Sequence, residues 1–272
     1  MTSRIDSTVS EASEPDRVTA VDRLVMLLEA LDGAEGLTLK RISQTTGLTE
    51  PTALRYLTRL RFHGLVERDE ETGRYGLGIR LFQLGQGALR DRDPRLVALP
   101  IMKDLRSQFD ETVNLAMRLE DDLVLIEALE STRSIKKGAR VGESDVWHSS
   151  SVGKAILAYL PEQEAIQILE RRGHPRTTPR TLTTFNELLR DFELVRERSY
   201  AIDDEESEEG LCCVGAPIFD RHRRPSYAIS FSGPASRFSL SSVHEMGRAI
   251  KAAAKNISRG LGYIGETETA EK

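Results

Sequence analysis

Apolar positions along the first third of the chain recur at helical spacing. Val21, Leu24, Val25, Leu28 and Leu31 share one face of a helix that starts near Thr19, with Gly33 beyond its end. Leu39 and Ile42 mark a second, shorter helix, with Thr38 where an N-cap belongs and Gly47 where a residue of positive φ ends it. A third begins at Thr49, with Pro51 in its first turn, where the missing N–H has no intrahelical partner to lose. Along it Ala53, Leu57, Leu60 and Gly64 form one stripe with Leu54 at the edge, while Thr52, Arg55, Tyr56 and Arg59 form another. Leu65–Arg68 and Arg74–Leu77 then read as a hairpin around a polar turn ending in Gly73. Three helices and a two-stranded wing make a winged helix-turn-helix. Its arginine-bearing face is suited to a major groove. An ordinary amphipathic helix pair with a hairpin is the plainer alternative.

Helical spacing continues at Leu81, Leu84 and Leu89, interrupted by Gly85 and Gly87, and Asp93-Pro94 opens a further helix through Phe109. The texture then changes. TVNLAMRL and LVLIEALE are strand-like and joined by Glu120-Asp121-Asp122; more strand material is expected near Ile135–Val141. Helices are expected over 162–171 and 186–198, strands over 211–219 and 227–232, and a last amphipathic helix over 239–261. This α+β pattern predicts a tail at 1–16, a DNA-binding domain at 17–78, a linker helix at 79–92, a body at 93–264 and a flexible end at 265–272. The body's antiparallel sheet is expected to have one covered face.

With 272 residues, 39% apolar and 30% charged, the chain suits two globular domains. No apolar run approaches the roughly 20 residues that span a bilayer, and the two cysteines, Cys212 and Cys213, are adjacent. A cytoplasmic location is the expectation, with no membrane partner. The net charge of −5 does not favour nucleic acid by itself. Its distribution is less adverse: residues 1–16 hold one arginine and four acids, residues 17–80 ten Lys/Arg and nine Asp/Glu. Without a polybasic stripe, affinity has to come from local positive charge and paired copies.

Three stretches carry candidate chemistry. WHSSSVGKAILAYL places serines and Gly153-Lys154 at a helix start, but lacks P-loop spacing. Either Ser149 or Ser150 caps that helix, or amides and hydroxyls line a pocket for a small carboxylate. AIDDEESEEG has six carboxylates in seven positions from Asp203 to Glu209, without an EF-hand pattern; it reads as a solvated acidic loop rather than a metal site. Cys213 reads as a small buried hydrophobe, since none of the five histidines forms a motif with it. No motif calls for a metal or a cofactor.

The segments GLTEPTALRYLTRLRFHGLVERD, HSSSVGKAILAYLPE, SYAIDDEESEEGLCCVGAPIFD and AISFSGPASR together resemble the IclR family of bacterial transcription regulators, from about Val18 to Gly262. The resemblance implies a winged helix-turn-helix, a linker helix and a GAF-like effector domain. It further implies a homodimer or homotetramer on palindromic double-stranded DNA, a small-molecule effector and no catalysis. Thr52 and Arg55 match the family pattern, while Pro51 and Leu54 replace its usual Ser and His. By similarity the effector site falls on Ser151, Val152, Gly153, Asp203, Leu211, Cys213, Ser230 and Ser232. Lys137 and Asp145 stand where apolar residues are usual, which points to a polar or anionic effector such as an organic acid. The rivals are an enzyme using Cys213 as a redox or nucleophilic thiol, and a winged helix that binds protein.

Overall fold

The computed structural model describes residues 19–32, 36–89 and 93–265. The expected tail at 1–16, Gly33, the end of the linker helix and all but the first residue of the flexible end lie outside these. The chain divides into two compact units, Met1–Asp91 and Arg92–Lys272.

In the first unit, Thr19 and Asp22 form a reciprocal capping box on α1 (Ala20–Leu31). The buried stripe of α1 differs from the expected one. Leu27 and Leu31 are fully inside with Leu24 and Leu28 at their flanks, whereas Val21 and Val25 are exposed. Both stripes have helical periodicity, so only the position of the neighbouring helices selects between them. α2 (Leu39–Thr46) is capped by Thr38 and ends at Gly47, whose φ of 69° is natural only without a Cβ. α3 (Glu50–Phe62) buries Ala53, Leu57 and Leu60 against α1 and α2. Each such leucine contributes about 1.5–3 kcal/mol of transfer energy. β1 (Val66–Arg68) and β2 (Tyr75–Leu77) form the antiparallel wing. Leu37 adds an isolated antiparallel bridge to Tyr75, a pairing that sequence periodicity did not reveal. α4 (Ile79–Leu89) runs through both of its glycines.

The second unit starts with α5 (Pro94–Phe109), capped by Asp93. β3 (Thr112–Leu119) and β4 (Asp122–Leu129) follow, then α6 (Ser151–Leu157), α7 (Glu162–Arg172) and α8 (Phe185–Arg198). β5 (Ala201–Asp204), β6 (Leu211–Phe219), β7 (Pro225–Pro234) and α9 (Leu240–Gly260) complete it. The antiparallel sheet has the order β4-β3-β7-β6-β5.

Both faces of this sheet are covered, not one as expected. Val113, Leu115, Val214, Ile218, Ile229 and Phe231 pack with α5 and α9. On the other face Ala116 and Ala228 join a core built by α6, α7 and α8. A strand buried on both faces shows a continuous apolar run, which is why LCCVGAPIF does not alternate. The strand expected near Ile135–Val141 is absent; the segment is an irregular loop. Residues 142–145 instead run along the free edge of β4, with Leu125 N–H donating to Glu143 O at 2.9 Å and Asp145 N–H to Leu123 O at 2.7 Å. This covers unpaired backbone groups of an edge strand.

Candidate functional site

On α3, Arg55 and Arg59 fall on the side away from the buried stripe, and Thr52 and Tyr56 lie partly buried at its flank. Arg55 and Arg59 are exposed, and each guanidinium lies 5.3 Å from a ring, those of Tyr56 and Phe62. Tyr56 is half-buried against the helical core, and the neighbouring Arg23 and Arg55 hold its phenol below the usual range. Thr49 precedes the helix in extended conformation but makes no side-chain cap; its hydroxyl donates to Thr52 Oγ1 at 2.9 Å. The wing tip is tied internally, with Asp69 accepting from the amides of Glu71 and Thr72.

In the second unit, strand register brings polar residues into rows on one sheet face. Asp203 pairs with Cys213, Cys213 with Ser232, and Ser232 with Thr112. In the next row Gly215 pairs with Ser230, and Ser230 with Asn114. Above this floor lies a cavity of about 260 Å³. Ser151 and Val152 of α6 form one wall, Asp203 and Leu211 another, and the loop carrying Lys137 and Asp145 covers it. Nine of the ten positions named from sequence therefore line a single cavity.

Gly153 does not. A Cβ there would strike the carbonyl and Cα of Trp147, so this glycine permits close backbone packing. Ser150 is the N-cap of α6: its hydroxyl donates to Val146 O at 2.5 Å and accepts from Gly153 N–H at 3.1 Å. Capping and pocket lining, posed as alternatives, thus hold together, since Ser150 and Ser151 also face the cavity.

The acidic run departs from the solvated-loop expectation at two positions, because Asp203 and Glu206 are buried. Asp203 accepts from the Glu206 and Ser207 amides at 2.8 and 3.2 Å and from the Ser207 hydroxyl at 2.5 Å. Oδ1 takes both amides and Oδ2 the hydroxyl. Burial nonetheless raises its carboxyl above the ordinary range. Asp145 remains open to solvent on one side, yet crowding by protein and the nearby Asp203 charge raise it to about 6. Lys137 pairs with Glu208 at 2.9 Å, which holds its ammonium protonated.

Lys154 is fully buried rather than free for a phosphate. Its ammonium lies 2.5 Å from Glu206 and 3.0 Å from Asp191. Sequence reading also missed Asn114, whose amide nitrogen donates to Ser232 Oγ at 2.9 Å and, at the long limit, to Ser230 Oγ at 3.5 Å. The available signal was an asparagine inside a strand-like run, a residue that strands disfavour.

Among the described residues no cluster of His, Cys, Asp and Glu fits a metal ion, and no helix is long and apolar enough to cross a membrane.

Comparison with known proteins decides the family. The model of the IclR helix-turn-helix domain matches residues 20–70, and that of the bacterial transcriptional regulator IclR C-terminal domain matches residues 86–259. The chain belongs to the IclR family of bacterial transcriptional regulators.

This IclR-family chain is 34% identical over 250 residues to the regulator KdgR of Dickeya chrysanthemi, covering 92% of this chain and 82% of that one. It is 34% identical over 257 residues to the transcriptional repressor IclR of Escherichia coli, covering 93% and 94%. An IclR homologue of Microbacterium hydrocarbonoxydans, solved in complex with 4-hydroxybenzoate, superposes with a TM-score of 0.77 at 26% identity, covering 89% of this chain and 99% of that one. The protein is a ligand-responsive DNA-binding transcriptional regulator and not an enzyme. The thiol chemistry considered for Cys213 lacks a basis as well, because burial and the neighbouring Asp203 push the thiol well above its ordinary range.

Proposed function

We propose that Thr52, Arg55, Tyr56 and Arg59 read or grip double-stranded operator DNA. The cavity over the sheet, in this reading, receives a small carboxylic acid that biases DNA binding. The exposed pair Arg55 and Arg59 on the face opposite Ala53, Leu57 and Leu60 carries the first half. Guanidinium groups so placed donate to guanine edges or to phosphates. The hydroxyl-rich floor and the Lys137 cover support the second half, as does the bound acid of the Microbacterium homologue.

The operator is a palindrome bound by a homodimer or homotetramer in the cytoplasm. Support comes from apolar side chains left exposed on both α1 (Val21, Val25) and α4 (Ile79, Phe82, Leu84) of the first unit, which suit burial against a second copy. An effector changes DNA affinity only through unequal affinity for the two geometries of that assembly. A gel-shift titration with the protein's own upstream DNA, with and without organic acids, tests this. Indifference to every duplex would overturn the DNA-site assignment, and indifference to every acid the effector assignment.

A further inference from the structure

The cavity is lined by six charged side chains, four acidic and two basic. Two of the acids are matched internally, Glu208 by Lys137 at 2.9 Å and Glu143 by Arg140 at 3.6 Å. Asp145 and Asp203 remain. Asp203 takes its hydrogen bonds from neutral donors, and Lys154, whose field also reaches it, is already shared by Glu206 and Asp191. Asp145 accepts from the Val146 amide at 2.8 Å, and among the described residues no lysine or arginine forms an ion pair with it. Its carboxylate is acted on by Lys137, Asp203 and the Ser150 hydroxyl, and itself acts on the Cys213 thiol. All four of those residues line the same cavity, so Asp145 turns its charge inward, and it is exposed enough to meet a ligand there.

The lining thus carries more negative charge than its own cations offset. A plain carboxylic acid meets Lys137 favourably but is repelled by Asp145 and Asp203. From this imbalance we infer that the effector is an amino acid, with Asp145 as the specificity-determining residue. Its protonated amine donates to the Asp145 carboxylate, and its own carboxylate accepts from Lys137. Lys137 has the capacity, since an ammonium has three N–H donors and the bond to Glu208 uses one. Both ends of such a zwitterion then face a group of opposite sign. An acid without the amine leaves Asp145 unmatched, and an amine without the acid leaves Lys137 to Glu208 alone. This inference rests on the cavity being the effector site.

The test compares pentanoate with 2-aminopentanoate and 5-aminopentanoate by calorimetry or saturation-transfer NMR on the full chain. At about pH 7.5 the amines are protonated and Asp145, raised to about 6, is ionised. One of the two amino acids is expected to bind wild type about tenfold tighter than pentanoate, the value of one hydrogen bond between charged groups. Which one does so reports the span from Lys137 to Asp145. Asp145→Asn keeps an oxygen for the Val146 amide and removes the charge, and the advantage of the amine should largely disappear. Asp145→Lys should reverse the order, because a fixed ammonium repels that of the ligand. Pentanoate binding wild type as tightly as either amino acid, or an advantage that survives undiminished in either variant, overturns the role of Asp145 while leaving the effector site in place. Failure of wild type to bind any of the three overturns both readings.

Discussion

Lys154 Nζ lies 2.5 Å from Glu206 Oε1, joining α6 to the turn after β5, with the lysine fully buried and the glutamate nearly so. Asp191 of α8 closes the group at 3.0 Å from the same nitrogen. Two acids sharing one ammonium keep Lys154 protonated, while burial raises Glu206 to about 7 against the pull of the lysine. The turn held this way presents Asp203 and Ser207 to the cavity.

Replacing Lys154 by Met is expected to leave the buried Glu206 carboxylate without its cation, while Asp191 keeps Arg198 at 3.5 Å, a loss of about 3–5 kcal/mol near neutral pH. The pH dependence has a definite sign. A carboxyl raised in the folded state binds more protons folded than unfolded, so its contribution to stability falls as pH rises from its unfolded value to its folded one. In wild type that window for Glu206 runs from 4.5 to about 7. In Lys154→Met the decline should be steeper and extend higher, so the variant melts closest to wild type near pH 5 and furthest from it near pH 8. Equal differences at both pH values would refute the account.

Arg55→Ala is expected to lower operator affinity by about 1–3 kcal/mol if the guanidinium meets a base edge, and to relax specificity at one position. An Arg59→Ala variant that meets only phosphate should weaken all duplexes alike and reduce the salt dependence. Fluorescence anisotropy at several salt concentrations separates these. Neither change should alter acid binding by the second unit.

Gly153→Ala should destabilise the second unit by about 1–3 kcal/mol, because the added methyl meets the Trp147 backbone rather than a movable side chain. A circular-dichroism melt reads this directly. Unchanged stability would show that the approach of α6 to Trp147 is looser than described.

Cys212 is raised to about 12 and Cys213 beyond its usual range, both chiefly by burial. Neither should react with a thiol reagent at pH 8 in the native protein, and both should react once it is unfolded in guanidinium. Fast native labelling would reopen the question of thiol chemistry.

Much of the first unit was legible along the chain. Thr38, Gly47 and Pro51 mark helix ends through local backbone preferences, and the 52, 55, 56, 59 spacing follows from helix geometry alone. The register of α1 was not, since Val21 and Leu27 satisfy the same period and only packing on α2 and α3 chooses Leu27. The pocket residues were named through family likeness, from segments of chain as distant as 137 and 232. Nothing in periodicity joins them.

What the sequence determined by itself is therefore local: helix starts and stops, the arginine face of α3, and the strands of an antiparallel sheet. Tertiary structure alone decided that both sheet faces are covered, that Lys154 lies inside with Glu206 and Asp191, and that Asn114 turns its nitrogen to two serines. Caps and periodicities arise from backbone geometry over a few residues. Burial of a charge or the direction of an amide depends on partners many residues away, brought together by strand register.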